Sequence, residues 1–286
     1  MQFNTKGIKN VIKSNRLLYW FVRQVRKIQY YYIPSIKFLF FNFLRKNNIW
    51  KNKRVESIKK FKNKHQDDRC FIVATGPSLR VDDIEKLSGE ITIGMNSICK
   101  IGNKTNWRPT YYGIQDIHVY RNLKEDIIKL NKTEAIFISS DFPKKEKIKN
   151  SNVIEMPIYG KNHLINPNAD NIEFSNDCYD VIHDGYTITY SLLQLAVYMG
   201  FKEIYLIGAD TSYAKKGPHH FIETGIIDPY FNIAGERMNR AYGVAKHFAD
   251  QNGIKIYNAT RGGFLEVFER VDFDKLELKS LERGIH

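Results

Sequence analysis

The fold of this chain is decided by the stretch Cys70-Phe71-Ile72-Val73-Ala74-Thr75-Gly76-Pro77-Ser78-Leu79, an apolar run that enters a glycine turn. A helical stretch, Val81 to Leu87, follows it. A strand, a glycine turn and a helix in this order open a doubly wound sheet, where backbone N–H groups and a helix N-terminus can hold phosphate. The turn matches neither the Walker A loop nor GxGxxG, which disfavours P-loop NTPases and nicotinamide enzymes. A tight turn without a ligand would look similar.

The rest of the chain from Cys70 onward alternates short β-branched or aromatic runs with helical stretches. This alternation predicts an α/β fold, a single Rossmann-like domain with a mostly parallel sheet. The clearest helix runs from Thr189 to Met199, with Thr187 or Thr189 as its N-cap, and another runs from Gly235 to Gln251. The predicted strands are Cys70–Ala74, Ile91–Met95, Thr110–Ile114, Ala135–Ser139, Val153–Met156, Glu203–Ile207 and Lys255–Tyr257.

The net charge of +13 on 286 residues is concentrated at one end of the sequence. Residues 1–65 hold 17 of the 44 basic residues and one of the 31 acidic ones, so this segment carries +16 and the remainder −3. We therefore divide the chain into a basic, aromatic helical arm, residues 1–66, and a domain of ordinary charge, residues 67–286. The charge describes the arm and not the domain.

The arm contains two apolar and aromatic blocks, Leu17 to Val22 and Ile36 to Leu44, each flanked by Lys and Arg. Such segments suit an anionic membrane surface, where aromatic rings lie among the headgroups and cations pair with lipid. Pro34 is predicted to separate two helices. The alternative is that these helices pack on the domain with a solvated basic face. A nucleic-acid partner is not expected, because the arm lacks the signature of a nucleic-acid-binding motif.

The three cysteines, Cys70, Cys99 and Cys178, show neither disulfide-like nor metal-like spacing. A reducing cytoplasm fits this usage best. The sequence contains no apolar run long enough to span a bilayer and no signal-peptide block. The predicted location is the cytoplasm, peripheral on the inner face of the inner membrane.

Polar residues follow several of the predicted strands, at the edge where α/β proteins bind ligands. Asn96 ends the second strand, and Gln115 and Asp116 end the third. An amide at such a place can read a base or a sugar hydroxyl, although an Asn that only closes a turn would look the same. We expect these three side chains to face one crevice.

A carboxylate, Asp210, ends a later strand, and His219 and His220 follow nine and ten residues further on. A carboxylate at a strand end and a histidine in the next loop can orient and activate a hydroxyl for attack. Two solvent-facing loop histidines are the alternative.

At these residues the chain resembles the bacterial sialyltransferases of glycosyltransferase family 42, of the Campylobacter type, and the related MAF/6-hydroxymethylpterin-diphosphokinase-like proteins of surface-polysaccharide gene sets. The turn Ala74 to Leu79 is similar to the family's Gly-Asn-Gly-Pro-Ser-Leu, with Thr75 in place of its Asn. The most specific match is Gly200 to Asp210 against Gly-Tyr-Lys-Glu-Ile-Tyr-Leu-Ser-Gly-Ile-Asp. The tail Tyr257 to Glu266 looks more like the MAF-like relatives, where a glycine turn faces the nucleotide.

The resemblance implies a role for each matching residue. Nucleotide or donor contacts fall on Thr75, Gly76, Pro77, Ser78, Asn96, Thr187 and Gly208, beside Gln115 and Asp116. Tyr213 would help the leaving phosphate, Asp210 would hold the site in place, and a histidine of the 219–220 pair would be the general base. The family's own base lies further along the chain than this pair.

The sequence therefore predicts a glycosyltransferase of surface polysaccharide or lipopolysaccharide biosynthesis. Its donor would be a CMP-linked sialic-acid-like or other acidic sugar, and its acceptor a glycan or glycolipid. No DxD motif ends a strand, so we expect no essential metal and no cofactor besides the nucleotide-sugar substrate. Two alternatives stay open, a pterin-type diphosphokinase that needs ATP and Mg²⁺, and a non-catalytic membrane-recruited scaffold. A homo-oligomer is also left open.

Overall fold

The computed structural model describes residues 14–160, 172–211 and 231–279, with the side chains of 231–234 left out. Eight of the described strands form one sheet, in the order β10-β9-β8-β1-β2-β3-β4-β5, and every pairing in it is parallel. A second, two-stranded parallel sheet pairs β6 with β7. The strands are β1 Arg69–Val73, β2 Thr92–Met95, β3 Tyr111–Ile114, β4 Ala135–Ser139, β5 Val153–Met156, β6 Ile158–Tyr159, β7 Ile182–His183, β8 Glu203–Ile207, β9 Lys255–Asn258 and β10 Glu269–Arg270.

The predicted α/β class and parallel sheet are confirmed. All seven predicted strands are present, with ends that differ by no more than one residue. The apolar runs of β1, β2, β3, β4 and β8 are buried on both faces, as parallel strands covered by helices require. The three strands that were not predicted, β6, β7 and β10, have two residues each and carry no alternating pattern.

Helices cover both faces of the sheet. On one face, α6 and α7 pack on Ile72, Met95 and Leu206. On the other, α4 and α5 lie over two further apolar clusters that include Val73 and Ile138. The α-helices are α1 Arg16–Lys27, α2 Ile33–Lys46, α3 Lys53–Glu56, α4 Val81–Lys86, α5 Ile117–Ile128, α6 Ile188–Tyr198 and α7 Phe231–Gln251.

The arm does not follow the expected pattern at Pro34. The proline is the second residue of α2, and a π-helical turn, Ile28–Tyr32, joins α1 directly to α2. Proline lacks the N–H that a preceding carbonyl would accept, and a π turn is one of the ways in which a helix absorbs such a local mismatch. Pro34 therefore lies inside a helical run and does not separate two helices.

The end of the arm joins the domain core. Val55, Ile58 and Phe61 are buried, and the last two pack in the large cluster beneath α6. The division at residue 66 stays a prediction. Within the described residues, no helix has the length and apolarity that crossing a membrane requires.

The order of the strands creates a topological switch point. The chain runs outward from β1 through β2, β3, β4 and β5, and then returns to place β8 on the other side of β1. In open α/β sheets the connections on the two sides of such a point leave in opposite directions, which places a crevice beyond the carboxyl ends of the two strands, here β1 and β8. Open α/β sheets bind their ligands at this position.

Candidate functional site

A hydrogen bond joins the segments that follow β1 and β8 at the base of the crevice. The Ser78 hydroxyl, after β1, donates to the Asp210 carboxylate, after β8, at 2.8 Å. Asp210 is 7% exposed, and burial raises the pKa of its carboxyl because the charged form loses water. Hydrogen bonds from the Ser78 side chain and backbone oppose that shift. The sequence placed these two residues 132 positions apart, and the fold brings them into contact.

Two glycines allow the backbones to approach here. A Cβ on Gly76 would collide with the Asp210 carboxylate and lie 2.5 Å from the Gly208 carbonyl oxygen. A Cβ on Gly263, which has φ +74°, would lie 2.6 Å from the Asp210 carbonyl oxygen. The close packing around Asp210 therefore depends on residues without side chains.

Two N–H groups of the 75–79 turn form hydrogen bonds within the protein. Gly76 donates to the Gly208 carbonyl at 2.7 Å, and Leu79 donates to the Gly76 carbonyl at 3.2 Å. Pro77 has no N–H. The two bonds hold the turn in place, and a contact between this turn and a phosphate stays a prediction. Thr75, also in this turn, is buried.

Strained backbone occurs shortly after three strands, β2, β7 and β8. Asn96, Tyr186 and Thr211 adopt left-handed φ angles of 44°, 69° and 47°. Such angles are uncommon outside glycine, least expected for a β-branched threonine, and tend to cluster at functional sites. Thr211 directly follows Asp210, and its hydroxyl oxygen is buried without a hydrogen-bond partner in the described parts of the chain. Thr211 and Tyr186 were not assigned a role from the sequence, because backbone strain has no signature in residue type.

Asn96 lies where the sequence predicted, at the end of β2. Its backbone carbonyl accepts the Tyr112 hydroxyl at 2.7 Å, which fixes the turn. Its side-chain amide makes no hydrogen bond to any residue that the structure describes. The amide is thus available to a ligand at the edge of the crevice.

Gln115 belongs to a separate hydrogen-bonded group at the end of β3. Its amide nitrogen donates to the Asp184 carboxylate at 3.4 Å, and its amide oxygen accepts the Ser191 hydroxyl at 2.7 Å. Asp184 also accepts the N–H of Tyr186 at 2.9 Å. Gln115 therefore positions the loop that precedes α6. Since β8, β1, β2 and β3 are neighbours, this group lies about 14 Å along the sheet edge from Asp210.

Asp116 and Thr187 are helix N-caps. One Asp116 oxygen accepts the N–H groups of His118 and Val119 at 2.7 and 2.9 Å, at the start of α5. The Thr187 hydroxyl accepts the Thr189 N–H at 3.3 Å, which confirms the predicted cap of α6. Both residues stand at the predicted edge, and the described contacts give each a structural role. Asp116 also borders a pocket of about 410 Å³, which is lined by Gln115, Ile117, Arg121, Asp141, Phe142 and Pro143 as well.

The predicted catalytic residues Tyr213, His219 and His220 lie outside the described residues. Among the residues that are described, no three His, Cys, Asp or Glu side chains gather in an arrangement that could hold a metal ion. Of the predicted catalytic residues, the structure describes the surroundings of Asp210.

Phe264 also contacts Asp210. Its N–H donates to the Asp210 carbonyl at 2.8 Å, and its side chain is 68% exposed. The Gly262-Gly263 turn, with φ angles of 72° and 74°, holds it there. The glycine pair in the sequence was the signal for this turn, but only the fold shows that it lies against Asp210.

A protein-family model described as 6-hydroxymethylpterin diphosphokinase MptE-like matches residues 43–216, more than half of the chain. The predicted resemblance to the MAF/6-hydroxymethylpterin-diphosphokinase-like proteins is thereby confirmed. A search of curated proteins finds no match.

The solved structures that resemble the chain include the following two. One is the MAf glycosyltransferase from Magnetospirillum magneticum AMB-1, with 16% identity and a TM-score of 0.49 over 79% of this chain. This chain spans only 39% of that protein. The other is the sialyltransferase CstII from Campylobacter jejuni in complex with a substrate analogue, cytidine-5'-monophosphate, with 17% identity and a TM-score of 0.43 over 72% of this chain and 85% of that one. At these identities and scores, neither likeness bears on function.

Proposed function

The chain belongs to the MptE-like family, and we propose that it is a glycosyltransferase that moves an acidic, sialic-acid-like sugar from a CMP donor to a hydroxyl of a glycan or glycolipid. The reaction would join the acceptor oxygen to the anomeric carbon, while the bond from that carbon to the phosphate oxygen breaks. The acceptor proton passes to a base, and CMP leaves. The pathway we propose is surface polysaccharide or lipopolysaccharide synthesis.

The observation that carries this proposal is the hydrogen bond from Ser78 to Asp210 at the switch point. An ionised carboxylate can only accept hydrogen bonds, so the single O–H group of Ser78 is the donor in its bond with Asp210. The Ser78 oxygen can then only accept hydrogen bonds. An acceptor-only oxygen suits the hydroxyls of a ribose or sugar and the amino group of a cytosine, and it does not suit a phosphate oxygen.

The other ligand-facing groups have the same chemistry. The Asn96 amide can both donate and accept, and the Thr211 hydroxyl is buried with no hydrogen-bond partner among the described residues. The exposed Phe264 ring offers an apolar face to a base or a sugar. Together these residues favour a nucleoside or a sugar over a triphosphate as the ligand of this crevice.

We assign the roles of general base to a histidine of the 219–220 pair and of proton donor to the leaving phosphate to Tyr213. Asp210 would position Ser78 and the loop that follows β8. The pocket beside Gln115 and Asp116 is our candidate for part of the acceptor site, because it adjoins the crevice along the same sheet edge.

A pterin-type diphosphokinase is the second candidate, because the family description names that activity. Such an enzyme binds ATP with Mg²⁺. The two functions therefore differ in nucleotide and in metal requirement, and one binding experiment separates them.

The test is a thermal-shift series with CMP, UDP, GDP and ATP, each with and without Mg²⁺. A ligand at a hundred times its Kd stabilises the folded state by about 2.7 kcal/mol, a rise of roughly 5 to 10 °C in Tm for a chain of this size. We expect that rise with CMP, independent of Mg²⁺, and a smaller one in Ser78→Ala. Ser88→Ala, a matched change at an exposed serine in the turn that follows α4, should behave like the unchanged protein.

Stabilisation by ATP only when Mg²⁺ is present would favour the diphosphokinase. Stabilisation by none of the four nucleotides, together with no hydrolysis of CMP-linked sugars, would overturn the proposal. If CMP binds, replacing His219 and His220 by Ala should abolish transfer and leave the CMP-induced shift in place.

A further inference from the structure

Helices α1 and α2 expose large apolar side chains and no acidic ones. On α2, Ile33, Ile36, Phe40 and Phe43 recur at spacings of three and four, so they share one face, and each is more than half exposed. On α1, Leu18, Phe21 and Val25 recur in the same way, and α1 has no buried residue. Contiguous exposed apolar surface on this scale marks a binding surface.

The face of α2 that meets the domain is mainly polar. Asn42 donates to the Asp180 carboxylate at 2.7 Å, and Arg45 donates to the Asp180 carbonyl at 2.7 Å. Lys46 pairs with the same carboxylate at 2.8 Å. The Phe38 ring stacks on Tyr159 beside them, with ring centroids 4.7 Å apart. The helix thus turns its polar side inward and its apolar side outward, the reverse of a helix that packs on a core.

The charge of this segment selects among possible occupants of the apolar face. Residues 16–46 contain seven Lys or Arg and no Asp or Glu. Four of the cations, Arg16, Arg23, Arg26 and Lys27, are on α1 at spacings that place them on one side, away from its apolar face. Two copies of this segment would bring cations together without an acid to pair them, which disfavours self-association through this face.

We propose that residues 16–46 dock in the plane of an anionic lipid surface. The apolar faces of α1 and α2 enter the headgroup region, and the basic residues of α1 pair with lipid phosphates. The contacts of Asn42, Arg45 and Lys46 with Asp180 fix the domain to the docked helix. This inference does not depend on the proposed glycosyltransferase activity.

The docking contacts adjoin the crevice. Tyr159 lies in β6, and its carbonyl accepts the N–H of Asp184 at 3.2 Å. Asp184 in turn accepts the amide of Gln115 and the N–H of Tyr186. The small sheet of β6 and β7 therefore contacts α2 on one side and the loop of residues 184–187 on the other. A docked helix α2 would keep this loop near the lipid surface.

The test is sedimentation of the full chain with vesicles of phosphatidylcholine, with or without phosphatidylglycerol. We expect binding to the mixed vesicles, weakened by salt, and little to phosphatidylcholine alone. Ile36→Asp with Phe40→Asp should lower the partition at least tenfold. Ile128→Asp, an exposed isoleucine on α5, is the matched control and should bind like the unchanged chain.

A second variant tests the charges. Arg23→Gln, Arg26→Gln and Lys27→Gln together should lower the partition into anionic vesicles about a hundredfold, from about 1 kcal/mol per basic residue. Equal binding to both vesicle types, or unchanged binding by the Ile36/Phe40 variant, would overturn the proposal. The proposal would also be overturned if the unchanged chain did not bind vesicles but formed a dimer in light scattering, and the Ile36/Phe40 variant dissociated that dimer. A second copy of the chain would then cover the apolar face of α2. A Tm equal to that of the unchanged chain in every variant shows that the domain is folded.

Discussion

The crevice at the switch point and the outer face of α2 depart from the usual distribution of side chains in opposite directions. In the crevice, a carboxylate and a threonine hydroxyl are buried, and strained backbone surrounds them. On α2, isoleucines and phenylalanines face the solvent. Buried polar groups and exposed apolar patches are the two informative exceptions to burial by hydropathy. Both cost folding stability, and at each of these two places we propose that another molecule binds.

We expect the largest effect from Asp210→Asn, which tests whether Asp210 supports the transfer reaction or only stabilises the fold. Transfer with the nucleotide sugar that gives the highest turnover should fall about 10³-fold in kcat/KM. Tm at pH 7 should stay equal or rise, because burial raises the pKa of Asp210 and its ionised form costs folding free energy. The contribution of Asp210 to the free energy of unfolding is greatest below the pKa that this carboxyl has in the unfolded chain. It is lost as the pH rises through the higher pKa of the folded chain. A clear loss of Tm with activity retained would make Asp210 a structural residue.

A pair of phenylalanines sharpens the comparison between core and outer face. Phe61→Ala should lower the free energy of unfolding by about 3 to 5 kcal/mol, because Phe61 is buried against Tyr111 and Phe137. Phe40→Ala should change it by no more than about 0.5 kcal/mol, because Phe40 is 55% exposed. Denaturant unfolding of both variants measures the difference. Comparable losses would mean that the outer face of α2 is covered within the folded chain.

The tight approach at the crevice is broken by Gly76→Ala. The added methyl would push Asp210 away from Ser78 and lower the free energy of unfolding by about 1 to 3 kcal/mol. The nucleotide-induced rise in Tm should disappear with it. Gly243→Ala on α7, where a Cβ meets no atom within 4 Å, is the control and should be neutral or stabilising. Full nucleotide binding by the Gly76 variant would show that the crevice is not the site.

The smallest effect concerns the pH dependence of transfer. The Ser78 hydroxyl lowers the pKa of Asp210 against the rise caused by burial, so Ser78→Ala should raise that pKa further. If transfer needs ionised Asp210, the acid limb of the kcat/KM profile moves to higher pH by about one unit. A limb that stays in place, or moves to lower pH, would separate Asp210 from the catalytic step.

Prediction from sequence succeeded where one short-range pattern governs the structure. The strand runs, the N-cap Thr187 and the end of α6 follow from residue type and period alone. At Pro34 the local rule failed, because a π turn before the proline let the helix continue. At the 75–79 turn the residues were identified, but their partners were not. The Gly76 N–H donates to Gly208 and the Ser78 hydroxyl donates to Asp210, and each partner lies more than 130 residues away.

The sequence by itself determined the α/β class, the strand positions and the separation of a basic arm from a domain of ordinary charge, because hydropathy period and local charge are properties of neighbouring residues. The tertiary structure alone decided that Ser78 donates to Asp210, that Thr211 is strained and unpartnered among the described residues, and that α2 turns its apolar side outward. These features depend on which distant segments meet, and a hydrogen bond or an exposed face exists only once the sheet has assembled.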